Sequence, residues 1–207
     1  MSNFIGIARH RLTVDGEGVT TLVCFYGCTL RCKYCINARC FGDVTDSFSL
    51  SPEELYDKVK CDDLYFLSTG GGICFGGGEP LLYTDYIARF KELCPSEWKL
   101  YCESALNVDA EAVKAAAELF DAFLIDCKDT NPEIYESYTG KDNKQMLENL
   151  EFLVGAVGTD KITVRLPLIP EYNCDEDRDK SETLLRKMGI VNFDRFEYKV
   201  KNQNNTL

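Results

Sequence analysis

The 207-residue chain sets 34 acidic against 23 basic side chains, a formal charge of −11, and is 45% hydrophobic and 28% charged. Such a balance suits one well-buried globular core and not two, so residues 1–207 are read as a single domain. The net negative charge argues against faces that neutralise phosphate backbones or anionic lipid, and neither nucleic acid nor membrane is expected as a partner.

The N-terminus, residues 1–15, mixes Arg9, His10, Arg11 and Asp15 with short apolar pieces and has no signal-peptide core. No stretch approaches the roughly 18 apolar residues of a membrane span, which makes a soluble, cytoplasmic protein the expectation. A first strand is predicted over 20–26, and a cysteine-rich loop over 27–41 follows it. Ser51-Pro52-Glu53-Glu54 combines a capping box with proline at the first helical position, so a helix begins there. A second strand, 72–75, runs into Gly76-Gly77-Gly78-Glu79-Pro80. A helix over 83–93 and a third strand over 98–103 come next. The alanine-rich stretch 109–120 reads as a helix, 122–126 as a fourth strand and 144–154 as another helix. A fifth strand is predicted over 161–168, a charged helix over 176–188, a sixth strand near 193–200, and a polar tail over 201–207. Six β–α alternations imply a parallel sheet with outer helices and right-handed connections, whose ligands bind at the C-terminal strand ends.

Eleven cysteines cannot all pair internally, and the cytosol keeps thiols reduced. Cys24, Cys74, Cys102 and Cys127 sit in apolar, strand-like runs and are expected to be buried small hydrophobes. Cys28, Cys32 and Cys35 differ, because Cys-x-x-x-Cys-x-x-Cys lets one loop wrap a soft metal centre. Three cysteines on a four-iron cluster leave one iron open for chemistry, whereas a structural site would be closed. Zinc completed by Cys40 or Cys24, or three unligated thiols, are the alternatives on spacing alone.

Gly77-Gly78-Glu79 at a strand end allows close backbone approach to a ligand and offers a carboxylate to an ammonium group. By itself it is more often a tight turn. Asp126 and Lys128 fall on one side of the pleat at the end of the fourth strand, and a surface ion pair is the plain alternative. Glu103-Ser104 and Arg165 are similar cases, each a solvated strand end or a group converging on a bound ion. The lone His10 reads as ordinary surface.

The motif Cys28-x-x-x-Cys32-x-Tyr34-Cys35 resembles the signature of the radical S-adenosylmethionine superfamily. Within it, Asp15-Gly16-Glu17-Gly18, the cysteine loop, Gly77-Gly78-Glu79-Pro80, Asp126-Cys127-Lys128 and Val164-Arg165 resemble, in order over residues 13–199, the glycyl radical enzyme activating enzymes of the pyruvate formate-lyase activating type. The resemblance implies a partial (β/α)6 barrel of parallel strands with outer helices. It implies one 4Fe-4S cluster on Cys28, Cys32 and Cys35, whose open iron chelates S-adenosylmethionine and whose electron releases a 5′-deoxyadenosyl radical. Tyr34 would lie beside the adenine, and Gly77, Gly78 and Glu79 would meet the methionine amino group. Glu103, Ser104 and Asp126 would border a monovalent cation, while Lys128 and Arg165 would help hold S-adenosylmethionine. Asp15 would help receive the glycine loop of the partner, a glycyl radical enzyme. A flavodoxin- or ferredoxin-like electron donor and a monomeric state are implied as well.

Four departures stand out. Ile36 follows the last cysteine where the type member has histidine, and Glu103-Ser104-Ala105 stands where Asp-Thr-Asn is usual. Lys199 stands where a cofactor-binding histidine is expected, and Glu171 replaces the glycine usual after Pro170. These put the macromolecular substrate and the cation site in question. An activase is the first reading, a compact radical enzyme acting on a small molecule the second, and a non-catalytic metal-binding or electron-transfer protein the third.

Overall fold

A computed structural model describes residues 1–199; Val200, at the end of the sixth predicted strand, and the tail 201–207 lie outside the described residues. In chain order the strands are β1 (Ser2–Leu12), β2 (Val19–Phe25), β3 (Phe48–Leu50), β4 (Gly72–Gly77), β5 (Lys99–Ser104), β6 (Ala122–Asp126), β7 (Ile162–Leu168) and β8 (Asn192–Glu197). The helices are α1 (Pro52–Val59), α2 (Asp63–Thr69), α3 (Thr84–Leu93), α4 (Ala110–Leu119), α5 (Pro132–Thr139), α6 (Lys144–Val157) and α7 (Asp175–Lys187). The sheet order is β3-β1-β2-β4-β5-β6-β7-β8. From β2 to β8 every neighbouring pair is parallel, so the six predicted strands form the expected open, partial (β/α)6 barrel.

The sequence reading missed the antiparallel edge. β1 pairs with β2 on one side and with β3 on the other. Two register shifts along β1, between Phe4 and Gly6 and between Ala8 and Arg11, break the alternation that would have announced it. α2 and α5 were missed as well. α2 is short and leaves Leu64 75% and Leu67 50% exposed, so it shows no apolar stripe. For α5 the signal was present: Asn131 caps two backbone N–H groups and Pro132 opens the helix.

Parallel strands bury both faces, and the two faces here differ. The outer face packs Val23, Phe25, Ile73, Phe75, Phe123, Ile125 and Val164 under the helices, all 1% exposed or less. Each such side chain contributes roughly 1.5–3 kcal/mol on burial. The concave face holds a smaller cluster of Ile5, Leu22, Cys24, Cys40, Cys74 and Tyr101. Cys24, Cys74, Cys102 and Cys127 are buried free thiols, as expected. Ser51 and Glu54 complete the capping box at the start of α1, which stabilises that end by about 1 kcal/mol.

His10 is a surface residue, as the sequence suggested, 47% exposed but with one buried partner. Its Nε2 lies 2.9 Å from the Asp62 carboxylate, which is fully buried and also accepts from Arg9 Nε at 2.8 Å and Thr21 Oγ1 at 2.9 Å. Among the described residues no helix is long and apolar enough to cross a membrane.

Candidate active site

β2 ends at Phe25, and the chain turns at once into the cysteine loop. Backbone bonds fix that loop on three sides. Gly27 N–H donates to Cys40 O at 2.7 Å, Arg31 N–H to Thr139 O at 2.9 Å and Lys33 N–H to Tyr138 O at 3.1 Å. The last two tie it to the end of α5, an element the sequence reading lacked. Cys28, Cys32 and Cys35 are each half-buried, and Cys40 is buried behind them. Hydrogen bonds from Cys40 hold the Cys28 and Cys35 thiols below the usual thiol range despite burial. Burial pushes Cys32 up to about 11, against the pull of the Lys128 charge. Of the three, Cys35, lowered to about 6, favours the thiolate that binds iron, and Cys28 shifts in the same direction.

The glycine–glutamate turn lies against this loop. Gly78 N–H donates to Phe25 O at 2.9 Å and Glu79 N–H to Gly27 O at 2.8 Å. A Cβ on Gly78 would fall 2.0 Å from Gly27 O, and Gly77 has φ +85°, so neither position admits a side chain without displacement. The close approach read from the glycines is therefore first an approach to the cysteine loop. The Glu79 side chain is 1% exposed and committed inward, accepting from Ser104 Oγ at 2.8 Å, Leu81 N–H at 3.1 Å and Ala105 N–H at 3.1 Å. Burial raises it to about 7, against those three bonds. Ser104 is thereby turned to Glu79, and its oxygen also accepts from Leu106 N–H at 2.9 Å.

Strand alternation points Glu103, Asp126 and Arg165 into the barrel. Arg165 Nη1 meets Glu103 Oε1 at 2.7 Å and lies 3.9 Å from Asp126, while its Nη2 donates to Val14 O at 2.9 Å. Lys128 Nζ donates to Asp126 at 2.7 Å and to Tyr198 Oη at 2.9 Å. The Lys128 side chain is 8% exposed; burial disfavours its charge, but Asp126 keeps the ammonium protonated. Burial raises Glu103 to about 7, partly opposed by Arg165. For Asp126 the order reverses: burial would raise it, and Lys128 with Arg165 outweighs that and holds it low.

Tyr34 packs its ring 5.8 Å from Tyr172 and 6.2 Å from Tyr138, and its hydroxyl donates to Glu171 at 2.8 Å. The expected site residues therefore gather at or near the C-terminal strand ends, Arg165 from the middle of β7, with two exceptions. Asp15 sits in the β1–β2 turn at the other end of β2, 1% exposed and ion-paired with Arg11. Lys199 is exposed, beyond the end of β8. The sequence reading gave no role to Tyr138, Tyr172 or Tyr198, which wall this mouth. Their only sequence signal is that each lies at or just past the C-terminal end of an element.

The family profile of the Radical SAM superfamily matches residues 22–185. The (2S)-3-sulfopropanediol dehydratase activating enzyme of Klebsiella oxytoca is 35% identical over 128 residues, covering 61% of this chain and 40% of that one. The pyruvate formate-lyase-activating enzyme of Listeria monocytogenes is 30% identical over 190 residues, covering 86% of this chain and 74% of that one. The chain thus spans less than half of the first relative's length and about three quarters of the second's. In fold it is similar to Streptococcus suis SuiB bound to S-adenosylmethionine, with TM-score 0.65 and 12% identity over 86% of this chain and 40% of that one. Matched over most of its length by the superfamily profile and aligned with two activating enzymes, the chain belongs to the radical SAM superfamily, in its activating-enzyme branch.

Proposed function

We propose that this chain is a glycyl radical enzyme activase, abstracting a hydrogen atom from one glycine of a partner polypeptide. The observation that carries the proposal is the pair of backbone bonds joining the cysteine loop to the glycine–glutamate turn. Those bonds hold the three-cysteine loop against the glycine–glutamate strand end, which supports reading the two as one cofactor mouth. When bound, the 4Fe-4S cluster supplies one electron to the sulfonium of S-adenosylmethionine, whose cleavage yields methionine and a 5′-deoxyadenosyl radical.

Cys28, Cys32 and Cys35 are the cluster ligands in this reading, and their soft thiolates suit iron. The turn at Gly77 and Gly78 presents backbone to the methionine end of the cofactor, with Glu79 bracing it from below. Lys128 and Arg165 supply the positive charge that faces a carboxylate. Tyr34, with Tyr138 and Tyr172 around it, offers aromatic faces to an adenine. Ile36, 93% exposed beside the last cysteine, gives the partner's loop an apolar contact where a histidine is usual.

The test is 5′-deoxyadenosine formation by anaerobically reconstituted, dithionite-reduced protein given S-adenosylmethionine, with Cys32→Ala as the control. Product from the wild type alone is expected. A glycyl radical on an added partner, seen by electron paramagnetic resonance, would complete the case. A protein that takes up no iron would sink the proposal, and turnover of a small molecule with no partner present would replace it with a metabolite-directed enzyme.

A further inference from the structure

We propose that the guanidinium of Arg165 and the ammonium of Lys128 stand where the resemblance implies a monovalent cation, so that S-adenosylmethionine binding by this chain needs no added alkali ion. The inference rests on the function proposed above and concerns the same site. The implied ion would take oxygens from Glu103, Ser104 and Asp126, and each of the three is already engaged. Glu103 Oε1 is 2.7 Å from Arg165 Nη1, and Asp126 Oδ2 is 2.7 Å from Lys128 Nζ. Ser104 Oγ donates to Glu79 and accepts from Leu106 N–H, both within 2.9 Å.

The charges point the same way. Two carboxylates, Glu103 and Asp126, face two internal cations, and the Arg165 side chain is only 13% exposed. Asp194, 3.9 Å from Arg165 Nε, is 55% exposed and screened by solvent, and the Val14 carbonyl accepts from Arg165 Nη2. A further cation would be set beside a fixed guanidinium in a half-dry barrel, where like charges repel more strongly than in water. The departure at residue 103 supplies the physical reason. Glutamate is one methylene longer than the aspartate usual there, and that length carries the carboxylate over β6 to Arg165 on β7. The planar fork of arginine also suits a neighbouring carboxylate better than a spherical ion can. The residues present therefore do not fit an alkali ion as this structure holds them.

The experiment measures S-adenosylmethionine affinity by calorimetry on the reconstituted protein, in choline chloride and in potassium chloride at equal ionic strength. For the wild type the two dissociation constants are expected to agree within about twofold. Arg165→Met vacates the guanidinium, and its affinity is expected to fall in choline and recover about tenfold in potassium. Arg165→Lys keeps a charge and should remain nearly salt-indifferent. Thermal unfolding of the cluster-free wild type gives a readout independent of the cofactor, and potassium should shift its midpoint no more than choline does. A wild type that binds several-fold more tightly in potassium would overturn the inference and leave the proposed function standing. Absence of binding in both salts would overturn the function itself, and this inference with it.

Discussion

Two groups of buried carboxylates in this barrel have similar chemistry and opposite economies. Asp62, at the antiparallel edge, is fully enclosed and takes hydrogen bonds from Arg9, His10 and Thr21. Burial would raise it, but those partners together hold it below its ordinary value of 3.8. Glu79 and Glu103, at the C-terminal strand ends, are pushed up to about 7 despite their own partners. The first arrangement closes on itself and fastens β1 to the segment before α2. The second leaves its acids titrating near pH 7 beside charged cations, which is how a site waits for a zwitterionic ligand. A carboxylate that staples and one that serves are told apart by how completely their partners compensate burial, not by burial itself.

Substitution at the two places should separate these roles. Asp62→Ala strands the buried Thr21 hydroxyl, at a cost of about 1–3 kcal/mol, while the 42%-exposed Arg9 side chain can turn to water. Chemical denaturation should show a loss of that order, with S-adenosylmethionine affinity unchanged because Asp62 lies outside the cofactor mouth. Glu79→Gln keeps the shape but turns one acceptor into a donor facing Ser104 or a backbone N–H, which costs about 1–3 kcal/mol. Its loss of stability should be similar and its loss of cofactor affinity larger. Equal effects of both variants on affinity would dissolve the distinction.

The pH dependence of folding sharpens the same contrast. A carboxyl raised from 4.5 to about 7 binds its proton more tightly in the folded chain, as Glu79 does. Stability should therefore fall as pH rises through that window, because the unfolded chain holds fewer protons there. Asp62 contributes in the other direction: its stabilisation is present above its unfolded value of 3.8 and is lost as pH falls below it. Denaturation midpoints of the cluster-free protein between these limits should decline with pH in the wild type and less steeply in Glu79→Gln, where Glu103 keeps its own share. A slope unaltered by that substitution would remove Glu79 from the account.

Legibility in the sequence followed how local each cause was. The capping box at Ser51, the strand 122–126 and the three-cysteine spacing are carried by neighbouring residues, and the structure has the box and the strand where they were read. β1 was not legible because Arg9 and His10 look like loop residues until Asp62, more than 50 positions away, is brought beside them. The barrel's charged interior was named residue by residue, yet its pairings were not. Nothing near Glu103 in sequence tells that it reaches Arg165 rather than an ion, and nothing near Glu79 tells that Ser104 will occupy it.

Glu171 shows the contrast at its weakest, with a carboxylate that is neither buried nor deeply paired. It has φ +71°, the left-handed region that favours glycine, which is the residue usual at this place in the resembling enzymes. A non-glycine residue there costs about 1–2 kcal/mol. The compensation visible is one exposed hydrogen bond from Tyr34 at 2.8 Å. Net worth for such a bond is about 0.5–1.5 kcal/mol, and exposure puts this one at the low end. Glu171→Gly should therefore stabilise the chain slightly, the relief being partly offset by the extra freedom glycine gives the unfolded state. With a net gain of about 0.5 kcal/mol, the melting temperature should rise by about 1–2 °C for a chain of this length. Tyr34→Phe removes the hydrogen bond and leaves the backbone as it was, so it should lower the melting temperature by a similar small amount. If Glu171→Gly instead falls further than Tyr34→Phe, the backbone conformation is not what Glu171 costs, and the side chain holds the mouth together more firmly than one exposed bond accounts for.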